Sequence, residues 1–137
     1  MRAVSLFGGG ELAATGQVVA SLTLDSNVVV SVGDDRAHEF RIENDIVLST
    51  DEGELVVRYN PYAHEATPPT HITELTTIVG RRVSSASAYT DGVLVLDFED
   101  GAVHALRVEP KERYEAWTYT HESFILSCPP GGRLDPS

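Results

Sequence analysis

Two histidines raise the question of chemistry. His38 and His104 stand 66 positions apart in matching segments, VVVSVGDDRAHEFRIE (Val28 to Glu43) and LVLDFEDGAVHALRVE (Leu94 to Glu109). An imidazole titrates near neutral pH and ligates metals well, so two brought to one pocket could hold a metal or act as acid and base. Each has the parity that sends a strand residue to the core face. Trp117 and Tyr119 share one face of a later strand and complete a candidate pocket of His38, His104, Trp117 and Tyr119. The competing reading is plainer: two half-buried histidines satisfied near strand ends and copied by duplication, with the aromatics as core packing.

A second duplicated set, Arg41, Glu43, Arg107 and Glu109, lies on the opposite strand face. It reads as cross-strand ion pairs or as a polar interaction surface, which Glu112 and Glu115 extend beside Tyr114. Other candidates are weaker. His64-Glu65 followed by Pro68-Pro69 cannot be a helical HExxH metal site, and Gly8 to Gly10 lacks the Gly-Lys-Ser/Thr of a phosphate loop. The turns holding Asp34, Asp35, Glu99 and Asp100 are too short for a calcium loop. Cys128 shows no base beside it and reads as a structural thiol. No catalytic residue, cofactor or metal ligand is assigned on these grounds, and the chain is expected not to be an enzyme.

The elements that carry these residues follow from apolar alternation. In the first copy, strands are expected at Val18 to Leu24, Val28 to Val32, Ala37 to Glu43, Ile46 to Ser49 and Glu54 to Tyr59. In the second they fall at Arg82 to Tyr89, Val93 to Phe98, Val103 to Glu109, Tyr114 to Thr120 and Phe124 to Cys128, the last matching Leu55 to Tyr59 at a shift of 69. Glu11 to Thr15 reads as one helical turn stopped by Gly16. Thr70 to Val79 reads as a short helix with Ile72, Leu75 and Val79 on one face, capped by Thr70 or Thr73 and ended by Gly80. The expectation is an all-β protein: two pseudo-repeated antiparallel β-meanders forming a sandwich or barrel, with one or two short helical turns. Repeat one spans about 11–61, a proline-rich linker 60–70, repeat two about 71–130, and a loose tail 131–137. Half a chain is a marginal core, so 1–137 is expected to be one domain.

Composition narrows the function classes. The chain has 137 residues and a net charge of −11, from 21 acidic residues against ten Lys and Arg. The excess is shared by both halves. Such a field repels nucleic acid and anionic membrane and favours cationic partners. One cysteine precludes an internal disulfide and fits a reducing compartment. The N-terminus is a poor signal peptide, and no apolar stretch is long enough to span a bilayer, so a cytoplasmic location is expected.

Four segments carry a resemblance. Gly80-Arg81-Arg82-Val83, Leu94 to Gly101 with its FEDG turn, Tyr114-Glu115-Ala116-Trp117, and Cys128-Pro129-Pro130-Gly131-Gly132 resemble a family of small bacterial β-proteins of unknown function. The resemblance covers residues 75–132, with YEAW and PGG its most specific parts. The family's short apolar or aromatic ending is not matched by Arg133 to Ser137. The resemblance implies a β fold and assigns no residue a role.

The expected function is a non-enzymatic, acidic protein-binding module, immunity- or inhibitor-like, that neutralises a basic partner. The alternative is a small-molecule or metal-binding β-barrel built around His38 and His104. A homodimer joined across strand edges is the third reading.

Overall fold

The computed structural model describes residues 12–59 and 70–132. The linker's residues 60–69 and the tail's residues 133–137 lie outside that range. Ten strands form: β1 (Val19–Leu24), β2 (Val28–Val32), β3 (His38–Ile42), β4 (Ile46–Thr50), β5 (Gly53–Val57), β6 (Val83–Ala88), β7 (Leu94–Phe98), β8 (Val103–Val108), β9 (Trp117–His121) and β10 (Phe124–Ser127). One short helix, α1 (Ile72–Thr76), precedes β6, and a 3-10 turn covers Asp34–Arg36. Among the described residues all strand pairs are antiparallel, and they close no barrel.

The strands make two five-stranded sheets, in the orders β1-β2-β3-β9-β10 and β5-β4-β8-β7-β6. The two copies have therefore exchanged hairpins. Each keeps its first three strands together and sends its last two into the other copy's sheet. The β3–β9 seam pairs Phe40 with Tyr119 and Ile42 with Trp117. The β4–β8 seam pairs Leu48 with Leu106 and Ile46 with Val108. Alternation sends all eight of these side chains inward, where they are at most 2% exposed in one continuous core. The sheets are also stitched where β1 meets β6. There Val19 N–H donates to Arg81 O at 2.8 Å, and Val83 N–H donates to Gln17 O at 2.8 Å.

The duplication reaches into local irregularities. β1 is bulged between Val19 and Ser21, and β6 between Val83 and Ser85. The seams also re-register the last hairpins. Leu48 faces Leu55 and Tyr119 faces Leu126, so Leu55 corresponds to Leu126 rather than to Phe124. The link between β8 and β9 is longer than that between β3 and β4, which displaces the second copy's final hairpin along the sequence.

One bulge is not duplicated. Along the β4–β8 seam Ser49 faces Ala105 but Thr50 faces Val103, so His104 is the extra residue of β8. A bulge shifts the side-chain alternation by one place. Val103 thus takes the core position at 3% exposure, and His104 turns to solvent. The first copy has no such break: His38 faces His121 in continuous register and is 5% exposed.

The helix is shorter than its apolar spacing suggests. α1 stops at Thr76, so Ile78 is buried in place of Val79, which is 42% exposed. Neither threonine caps it. His71 is the N-cap residue without a side-chain capping bond, and Thr70 instead ties down the edge of β5, donating from Oγ1 to Val56 O and accepting from Arg58 N–H.

Gly131 and Gly132 are not part of a loose tail. Gly132 is buried against the turn after β6: a Cβ at Gly92 would sit 2.3 Å from Gly132 O, and Gly92 has φ +95. The carbonyl of Gly92 accepts the indole N–H of Trp117 at 2.9 Å. The Tyr-Glu-Ala-Trp and Pro-Gly-Gly segments thus meet at one turn. Gly92→Ala is expected to destabilise the fold by about 2–4 kcal/mol through overpacking and positive-φ strain, read as a lower urea midpoint with an unchanged m-value. Because each copy's third strand pairs with the other copy's hairpin, residues 1–66 and 67–137 made separately should each lack cooperative unfolding. Mixing them should restore the near-ultraviolet signal of Trp117.

Candidate functional site

The expected pocket of His38, His104, Trp117 and Tyr119 does not form. Trp117 and Tyr119 are fully buried in the first sheet's core. His38 joins them: its Nδ1 lies 2.7 Å from the Tyr119 hydroxyl, and its ring stacks on His121 with centroids 4.1 Å apart. His104 belongs to the other sheet, and its Nε2 lies 2.6 Å from Asp51 Oδ1 at the surface. The bulge at His104 separates the two equivalent histidines. Among the described residues no group of three His, Cys, Asp or Glu side chains is placed to hold a metal ion.

The duplicated arginines also diverge. Arg107 reaches Glu54 of β5 and Glu109 just past the end of β8, each at 3.0 Å. Arg41 makes only a 3.5 Å pair with Glu39. These are solvent-facing ion pairs, each worth a fraction of a kcal/mol to about 1 kcal/mol. Glu112 is exposed in the β8–β9 link. Cys128 is fully buried, and burial pushes its thiol pKa up, which keeps it protonated and unreactive.

What the structure does bring together is a cleft of about 350 Å³ at one end of the sandwich. Its walls are the β1–β2 turn, the β3–β4 link, the end of β5 and the β8–β9 link. Glu43 and Asp45 come from the first link, and Lys111, Tyr114 and Glu115 from the second, with Tyr59 at the base of β5. The two links are tied together. Asn44 Nδ2 donates to Glu109 O at 2.8 Å, and Lys111 Nζ donates to Glu43 O at 2.8 Å. Tyr59 is fixed by donating its hydroxyl to Asp25 O at 2.7 Å. Tyr114, in contrast, is 69% exposed.

This arrangement suits a cation. Three carboxylate residues and two tyrosines line one opening; Asp45 is paired with Arg58 at 3.4 Å, and Lys111 is held by its bond to Glu43 O, which leaves Glu43 and Glu115 as the carboxylates open to a ligand. An ammonium or guanidinium entering there would meet negative charge and aromatic faces. Of the residues expected to form an interaction surface, Glu43 and Glu115 line this cleft, whereas Arg41, Arg107 and Glu109 do not. Asp45, Tyr59 and Lys111 were not singled out by sequence reasoning. The available signal was the longer second link, Glu109 to Ala116 against Glu43 to Asp45, whose extra residues build the second wall.

The two equivalent histidines should respond differently to truncation. His38→Ala leaves the Tyr119 hydroxyl without its acceptor in the core and should cost about 1–3 kcal/mol. His104→Ala removes an exposed pair and should stay within about 0.5 kcal/mol. Chemical denaturation of both variants at pH 7.5 makes the comparison.

A family model matches residues 11–136, nearly the whole chain. No curated protein and no solved structure matches it. The chain therefore belongs to DUF6188, a family of unknown function.

Proposed function

We propose that this chain is an acidic binding module that acts by contact rather than catalysis and engages a basic protein partner, in the manner of an immunity protein or inhibitor. The observation that carries this reading is the end cleft, where Tyr59 and Tyr114 stand among Glu43, Asp45 and Glu115. A lysine or arginine side chain of the partner enters the cleft, and the exposed Tyr114 ring supplies the aromatic contact typical of interface centres. The net charge of −11 steers the encounter and makes it salt-sensitive. The single, buried cysteine is consistent with a reducing, cytoplasmic setting. Among the described residues no helix is long and apolar enough to cross a membrane.

A glycine-spaced hexa-arginine peptide serves as the probe, with hexaglutamate as control. Two variants that lower the charge equally separate the cleft from the general field. Glu43→Gln with Glu115→Gln should weaken binding several-fold more than Glu52→Gln with Asp100→Asn, and Tyr114→Ala should weaken it without any charge change. Calorimetric titration at 50 and 300 mM salt reads both effects. Equal losses for the two charge variants, or affinity indifferent to salt, would sink the proposal.

A further inference from the structure

The buried cluster at the other end of the first sheet has a hydrogen-bond pattern that favours neutral His38. The Tyr119 hydroxyl oxygen accepts from the backbone N–H of Ala14 and lies 2.7 Å from His38 Nδ1. The phenol is fully buried and its pKa is pushed up to about 12, so it keeps its proton. That proton needs an acceptor, and Nδ1 is the one at hand. His38 therefore carries its own proton on Nε2. His121 is held the opposite way: Nδ1 lies 3.2 Å from Ala37 O, a carbonyl that can only accept, so Nδ1 carries the proton.

A second proton on His38 would break this arrangement in two ways. Nδ1–H would face a phenol whose own O–H then lost its acceptor in the core. A cation would also form 4.1 Å from the stacked His121 ring, whose positive charge when protonated opposes it. The other groups near the pair do not repair this. Glu122 Oε1 is 4.0 Å from His121 Nε2 and exposed, so it offers one screened attraction. On the side of β1, Gly33 packs against the His38 ring with Gln17 beside it, and Asp34 and Arg82 line the adjoining crevice with opposite charges.

The location gives this chemistry a consequence. His38 and His121 are the terminal pair of the β3–β9 seam, which fastens the exchanged hairpin β9–β10 to the first sheet. At the matching place of the β4–β8 seam stand Thr50 and the bulged β8, with His104 turned out to solvent. Among the described residues only the β3–β9 seam carries buried titratable rings, those of His38 and Tyr119, with His121 half-buried beside them.

We propose that the His38–His121 pair is a proton-sensitive latch, so that mild acid loosens the β9–β10 hairpin from β3 while the β4–β8 seam stays closed. The direction follows from linkage. In the opened state His38 binds a proton near its ordinary pKa, about 6.5. In the closed state burial, then the neighbouring His121, hold it lower. The opened state therefore binds more protons just below pH 6.5, and closure weakens as pH falls from there towards the depressed pKa.

Amide hydrogen exchange of the intact chain at pH 7.5 and 5.0, expressed as protection factors, tests the latch. Protection at Glu39 to Arg41 and Thr118 to Thr120 should fall about tenfold for each pH unit within the window. Protection at Val47 to Ser49 and Ala105 to Arg107 should hold. His38→Gln, whose side-chain carbonyl can still accept from Tyr119, should abolish the pH-dependent loss. Should that variant fail to fold, His121→Thr keeps His38 buried and should shrink the loss, because without the neighbouring ring the closed-state pKa moves back towards the open-state one. Equal loss at both seams overturns the proposal, as does a His38→Gln or His121→Thr profile indistinguishable from the parent's.

Discussion

The fold depends on two antiparallel seams, β3 with β9 and β4 with β8. Each joins strands from different copies of the duplicated unit, and each buries large side chains on its inner face: Phe40, Ile42, Trp117 and Tyr119 in one, Ile46, Leu48, Leu106 and Val108 in the other. Without the seams each copy would be a three-stranded sheet and a detached hairpin, with too little apolar surface covered to offset chain entropy. With them, ten short strands share one core. The β1–β6 stitching and the packing of Gly132 on Gly92 close the structure around that exchange.

Symmetry is broken at two places that bear on the proposed sites. The bulge at His104 evicts one member of a duplicated histidine pair from the core, which leaves His38 to find Tyr119 and His121. The longer β8–β9 link adds Lys111, Tyr114 and Glu115 to one end of the sandwich, opposite Glu43 and Asp45. A duplicated fold thus acquires one buried polar cluster and one acidic, tyrosine-lined cleft at opposite ends of the β3–β9 pair. The proposed binding of a basic partner would use the second; the proposed latch rests on the first.

Much was legible from the chain alone. The period-two alternation marked ten strands, because a half-buried sheet needs apolar residues on one face only. The 66-residue repeat announced two related units. Core roles for Trp117, Tyr119 and Cys128 could be weighed as the plain alternative to chemistry, and burial bears that alternative out. The cleft was half visible, through Glu43, Glu115 and Tyr114.

Local pattern determined strand identity, turn positions and the duplication, since these are set by side-chain alternation and backbone preferences within a few residues. Tertiary structure decided which strands paired across the copies, because Phe40 and Leu106 are equally apolar and no local rule chooses their partners. It also decided the fate of His104. A bulge arises from the register of β8 against β4, and register is a property of two strands, so alternation within β8 assigned to the core a residue that the pairing turned outward. Tyr59 and Tyr114 likewise became one cleft only when the hairpin exchange brought the end of β5 beside the β8–β9 link.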